Sequence, residues 1–308
     1  MRRPFRPRLF RFVAPACLAA GIALVATGAS RAAAPAASAA PNLWSRDNLV
    51  AWCIVPFDTA KRDAAARAAM LERLQIRRLA YDWRAEHVPQ FDAEVIEMQR
   101  RGIEILAWWF PNRIDDASRR IVEVISRHDI RPQLWTMGSA APLKDPAGQE
   151  ARVAEEAAKL RPVLEIAAKL GCQVGLYNHG GWFGEPENQL AILARLRAEG
   201  FTKVGLVYNF HHGHEHLDRF PELWRRIKDH TLAVNLNGMI AGGDKAGKKI
   251  LYLGEGDREL AMLRFIQESG WRGPIGVLNH RMDTDAEVAL RANLAGLDQL
   301  AAKLRAVR

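Results

Sequence analysis

The stretch CQVGLYNHGGWFGEPENQLAILARLRAEGFTKVGLVYN, residues 172–209, decides the architecture. Two short apolar runs, CQVGLYN (172–178) and KVGLVYN (203–209), flank ENQLAILARLRAEG (187–200). In the latter, apolar residues recur at three and four, and a glycine closes the segment. Short continuous apolar runs bounded by turn residues predict strands buried on both faces, and the 3.6-residue period predicts an amphipathic helix between them. Two such strands joined by a helix form a parallel crossover unit.

The same beat extends in both directions. Strand-like runs recur at LVAWCIVPF (49–57), RRLAYDW (77–83), IEILAWWF (103–110), RPQLWTMG (131–138), TLAVNLN (231–237) and PIGVLNH (274–280), making eight in all. Amphipathic segments such as AAARAAMLERL (64–74), AEVIEMQRRG (93–102) and ELAMLRFIQESG (259–270) separate them. Eight strand-then-helix repeats in about 260 residues predict an α/β protein of the (β/α)8 TIM barrel class over residues 41–308. An open doubly wound sheet would need a phosphate-binding glycine turn after an early strand, and FDTAKRD (57–63) offers none.

Residues 1–40 have a different character. Arg2, Arg3, Arg6, Arg8 and Arg11 precede the apolar FVAPACLAAGIALVATGA, and the small-residue segment SRAAAPAASAA follows. This order predicts a cleavable signal peptide and Ala-rich linker, cut near Ala34 or Ala39, and hence an exported chain, periplasmic or secreted, without stable membrane insertion. Arg2-Arg3-Pro4-Phe5 also fits the core of a twin-arginine signal. Cleavage removes six arginines and no acid, so only +3 of the formal charge of +9 stays with the barrel. The basic character belongs to export, which excludes a nucleic-acid partner. Beyond the signal only Cys53 and Cys172 occur, both in apolar runs, and they predict buried thiols rather than a disulfide framework.

Motif searches narrow the chemistry. GGDKAGKK (242–249) has the spacing of a phosphate loop, but Lys249 stands at the Ser/Thr position and an apolar run follows, so it is taken as a basic loop. There is no G-x-S-x-G, and HEHLD (214–218) is not a zincin motif. In a barrel of this class the site is built at the strand ends. Those ends carry Asp82, Arg84, Trp109, Tyr177, Asn178, His179, Asn209, His211, His212, His214, Asn235, Asn237, Asn279 and His280. Aromatic faces stack on sugar rings, while amides and imidazoles supply paired donors and acceptors for hydroxyl groups. The predicted ligand is therefore a carbohydrate. Asp82 and Arg84 read either as a local ion pair or as ligand contacts. Of the adjacent Trp108 and Trp109, strand alternation turns only one inward.

The segments GLYNHGGWFGEPEN, VGLVYNFHHGHEHLDRFPELWRRIK, LAVNLNGM, LGEGDRELAML and GPIGVLNHRMDTDAEVALRANLAGLDQL resemble the second half of a xylose isomerase-like barrel, of the sugar phosphate isomerase/epimerase superfamily. The resemblance implies a keto-sugar substrate, a proton shift next to its carbonyl (or related lyase/hydratase chemistry), and a divalent metal at the barrel mouth. It also implies ligands that this chain lacks: Tyr177, Asn209, and Asn279 or His280 stand in place of carboxylates, and Asn235 or Asn237 in place of a histidine. Neutral amides cannot offset the charge of a hard cation. A transition ion (Zn, Mn or Co) on His179, His212 and His214 is the metal arrangement still open to the sequence. Catalytic candidates are His179, His212 and Glu255, the last also readable as a turn residue; the remaining strand-end residues are candidates for sugar binding, and His216 for a bystander. Export favours an unphosphorylated substrate. The alternative is a metal-less barrel that binds carbohydrate without turnover.

Overall fold

The computed structural model describes residues 42–306. Eight parallel strands close on themselves in sequential order: β1 (Leu49–Trp52), β2 (Arg78–Tyr81), β3 (Glu104–Trp109), β4 (Gln133–Thr136), β5 (Val174–Tyr177), β6 (Val204–Asn209), β7 (Thr231–Leu236) and β8 (Ile275–Leu278). Each lies within one of the apolar runs. The seam is β1 against β8, with Leu49 opposite Ile275 and Trp52 opposite Leu278. Between strands run α1 (Ala64–Arg73), α2 (Phe91–Arg100), α3 (Asp116–Arg127), α4 (Gln149–Leu170), the single turn α5 (Gly181–Gly184), α6 (Pro186–Ala198), α7 (Phe220–Ile227) and α8 (Glu259–Glu268), with α9 (Ala286–Arg305) after β8. The caps follow local chemistry: Asp63, Asp115 and Asp285 accept first-turn N–H groups, and Pro186 stands at the first position of α6.

Strand alternation sorts the core into two layers. One side of the strands, with Leu79, Tyr81, Trp108, Leu134, Leu176, Leu206 and Val234, packs against the helices. The other side fills the barrel with Val50, Trp52, Ala80, Ala107, Trp135, Tyr177, Val207, Ala233 and Leu278, and Trp109 packs on this layer from the mouth. Trp108 and Trp109 thus face opposite ways, as alternation requires. The interior works by pairing large with small. Trp52 and Trp135 lie with centroids 4.2 Å apart, and Trp109 meets both edge-on at 5.7 and 5.0 Å. A Cβ on Gly175 would sit 2.5 Å from the Trp135 indole, and one on Gly276 would sit 2.4 Å from that of Trp52. Full burial of one indole contributes on the order of 4–6 kcal/mol. The barrel is therefore a packed plug, and any ligand must lie across its top.

Cys53 and Cys172 are free and buried. Among the described residues no helix is long and apolar enough to cross a membrane. Residues 1–40, expected from sequence to be a signal peptide and linker, lie outside the described residues.

Candidate functional site

Above the aromatic plug, four imidazoles form an unbroken row. His179 at the end of β5 lies 4.6 Å from His212, His212 lies 4.4 Å from His211, and His211 lies 4.6 Å from His280 beyond β8. His280 packs on Phe57 at 4.1 Å, and the Arg84 guanidinium lies 5.4 Å above the Phe57 ring. Tyr177 floors the row, 5.9 Å from His179 and 5.7 Å from His212. Backbone strain helps to place it: Cys53 and His280, side by side at the β1–β8 seam, both have positive φ (55° and 50°), and the His280 N–H donates to the Cys53 carbonyl at 3.2 Å. Two non-glycine residues in this region are held there by their surroundings at a cost.

The row is uncharged at neutral pH. Burial is the first cause, and mutual repulsion and the Lys249 ammonium add to it. Together they lower His211 to about 2 and His280 to about 4, and they depress His179 and His212 in the same direction. A neutral imidazole has one N–H donor and one acceptor nitrogen, so the row offers alternating partners to ligand hydroxyls. The Nδ1 atoms of His211 and His280 and the Oδ1 atoms of Asn235 and Asn237 are buried without a partner among the described residues.

The amides serve mainly to hold the row. Asn178 splints β5 to β6, its Oδ1 accepting from the Asn209 N–H at 2.8 Å and its Nδ2 donating to the Asn209 carbonyl at 3.2 Å. Asn209 Nδ2 donates to the Tyr177 hydroxyl at 2.6 Å, while its Oδ1 accepts from Asn235 Nδ2 at 2.7 Å and from the His211 N–H at 3.1 Å. Asn178 and Asn209, expected to bind sugar, are thus engaged inside the protein because neighbouring amides satisfy one another. Asn237 donates to the Gly238 carbonyl at 2.9 Å.

Other expectations are corrected by placement. Asp82 and Arg84 form no ion pair: Arg84 Nη1 donates to the Asp82 and Trp83 carbonyls at 2.9 and 2.8 Å. The Asp82 carboxyl is buried, takes one N–H from Val55 at 3.3 Å, and is raised by burial to about 7. Glu255 is exposed and accepts the Tyr252 N–H of its own turn at 2.9 Å, so it is a turn residue outside the histidine pocket. His216 is no bystander. It is 2% exposed, its Nδ1 is 3.0 Å from the Tyr208 hydroxyl, and its Nε2 is 3.3 Å from Glu185. Glu185 also takes Arg219 at 3.0 Å, a link between residues 34 positions apart that sequence reading missed.

Beside the row lies a cavity of about 300 Å³, lined by His179, His211, His212, His214, Asp244 and Lys249 among others. A larger hollow, about 580 Å³, lies between the loops after β1 and β2. Among its charges, Arg62 and Asp58 are tied to one another at 2.8 Å, and Arg62 also reaches Asp285 at 3.0 Å. The smaller cavity is the one bordered by the imidazole row, and it is the candidate site.

No sequence-family model and no curated protein matches the chain. Solved structures do. The 3-keto-D-glucoside 4-epimerase YcjR from E. coli superposes with a TM-score of 0.61 at 12% identity, over 82% of this chain and 99% of its own. A D-allulose 3-epimerase from Methylomonas sp. gives 0.59 at 14%, over 83% and 98%. An IolI protein with a bound zinc gives 0.63 at 14%, over 83% and 99%. The fold is that of the xylose isomerase-like TIM barrels.

The resemblance read in the sequence implies a divalent metal, and the described residues do not make a site for one. Among the described residues no three His, Cys, Asp or Glu side chains converge as a ligand set. His214, the third expected ligand, has its Nε2 3.0 Å from the Lys249 carbonyl. The Lys249 ammonium shares the cavity and would repel a second cation.

Proposed function

We propose that the protein is an exported isomerase or epimerase that binds an unphosphorylated keto sugar across the imidazole row and shifts a proton on the carbon beside its carbonyl. The observation that carries this reading is the contiguous neutral row His179–His212–His211–His280 over an aromatic floor, a surface of alternating donors and acceptors suited to a polyol. His179, exposed on the rim, is the imidazole that reaches a substrate proton, with His212 orienting the adjacent hydroxyl. Trp109, half-buried at the mouth, gives the sugar an apolar face. The structural neighbours that act on a keto-glucoside and on allulose support the substrate class. A signal peptide over residues 1–40 places the barrel, residues 41–308, in the periplasm or outside the cell.

The experiment is deuterium wash-in. The mature protein is incubated in D2O with D-allulose or a 3-keto-glucoside, and exchange at the carbon next to the carbonyl is followed by NMR. The missing carboxylates favour a second reading, a barrel that binds carbohydrate only; saturable sugar binding without exchange would establish it. Metal analysis of the purified protein addresses a Zn, Mn or Co ion on His179 and His212, for which the zinc-bearing neighbour argues, and well under one equivalent is expected.

A further inference from the structure

We propose that the Lys249 ammonium is the electrophile of this site: it sits where the oxygen of the substrate carbonyl gains negative charge as the neighbouring carbon loses its proton. The inference rests on the keto-sugar reading and assigns a role to the GGDKAGKK loop, which that reading leaves unused.

The loop is built to hold this residue. The Lys249 carbonyl lies 3.0 Å from His214 Nε2 and accepts from Asn237 Nδ2 at 3.4 Å. The next carbonyl, Ile250, takes Arg281 Nη2 at 2.7 Å, and the one after, Leu251, takes the Gly238 N–H at 2.9 Å. Three consecutive peptide units are thus anchored to the ends of β7 and β8 or to the β6 loop, which turns a loop lysine into a positioned one. His214 is then a positioning residue. The charge itself is unengaged. Of the three lysines in GGDKAGKK, Lys245, Lys248 and Lys249, only Lys249 lines the cavity, and it is in no ion pair among the described residues. Two other carboxylates face the same cavity without holding it: Asp244, on the same loop, and the exposed Glu215. Glu185 is held by His216 and Arg219.

The step balances without a metal. The His179 imidazole takes the proton from the carbon beside the carbonyl. The C–H pair becomes a C=C bond, and the carbonyl π pair moves onto oxygen, whose charge the ammonium meets. Return of the proton from the imidazolium, to the same carbon or its neighbour, with the hydroxyl proton moving between oxygens, completes an exchange or an isomerisation. Positive charge placed in advance where an oxyanion develops contributes to the transition state rather than to ground-state binding.

The test compares wild type, Lys249→Met and Lys249→Arg, using the same two sugars and threonohydroxamate, a planar enediolate mimic. Lys249→Met is expected to lower kcat for wash-in by roughly 100- to 1000-fold with KM within about 3-fold, and to weaken the hydroxamate by a similar factor while ketose affinity holds. Lys249→Arg should recover part of each, and chelators should change nothing. Where wild type binds ketose without exchanging it, the hydroxamate comparison decides. Exchange or hydroxamate binding within about 3-fold of wild type in Lys249→Met, or wild-type exchange abolished by chelator, overturns the inference alone. Absence of ketose binding by wild type overturns the keto-sugar reading and the inference with it.

Discussion

Replacing His216 with alanine should destabilise the barrel while sparing the sugar site. The imidazole is 2% exposed and bridges the buried Tyr208 hydroxyl, at 3.0 Å, to Glu185, at 3.3 Å. Truncation leaves that hydroxyl buried without a partner, worth about 1–3 kcal/mol. The space vacated by the ring adds about 1 kcal/mol more, since the Tyr208 and Phe220 rings around it relax only in part. The sum is about 2–4 kcal/mol, which in a domain of this size lowers Tm by roughly 5–10 °C. Calorimetric melts of His216→Ala, Tyr208→Phe and the double variant measure it. The double variant should melt above the His216→Ala single, because Tyr208→Phe then removes the hydroxyl that truncation had left buried without a partner. A His216→Ala protein melting within 2 °C of wild type, or one in which Tyr208→Phe costs as much as it does in wild type, would refute the reasoning.

His179→Ala and His212→Ala should each weaken sugar binding or turnover by about 10- to 100-fold, with Tm within a few degrees of wild type; ketose titrations and melts check both halves. Acid should destabilise the fold. The unfolded chain protonates its histidines below about pH 6.5, whereas the row resists until about 4 at His280 and about 2 at His211, so stability is full above pH 6.5 and falls as pH drops. Asp82, raised to about 7, has the opposite slope, its contribution being lost as pH rises from about 4 to 7; Asp82→Asn should therefore steepen the acid loss seen in urea midpoints between pH 7 and 4. Gly175→Val should cost at least 1–3 kcal/mol in a urea titration, because even its Cβ would meet the Trp135 indole at 2.5 Å.

The architecture was legible because the apolar runs and helical periods alternate without interruption, and all eight strands fall inside the expected segments. The candidate site was legible as a set of strand ends, not as a division of labour. Period-two alternation requires that only one of Trp108 and Trp109 turn inward, but it cannot tell whether Asn209 meets a sugar or Tyr177. That depends on Asn235, one strand away and 26 residues later in the chain. His216 looked dispensable for the same reason, since its partner Glu185 stands 31 positions earlier. Lys249 was visible in the sequence, but its loop was judged by a motif it fails to match rather than by its place after β7.

The aromatic plug also makes the molecule its own reporter. Trp52, Trp109 and Trp135 lie within 4.2 to 5.7 Å of one another, close enough to share excitation, and Trp109 alone among them reaches the mouth. Excitation shared among these three rings thus reaches the indole that a ligand would touch. Occupancy can be read from the emission of the unlabelled protein, and Trp109→Phe should dim that signal while leaving the deeper pair in place.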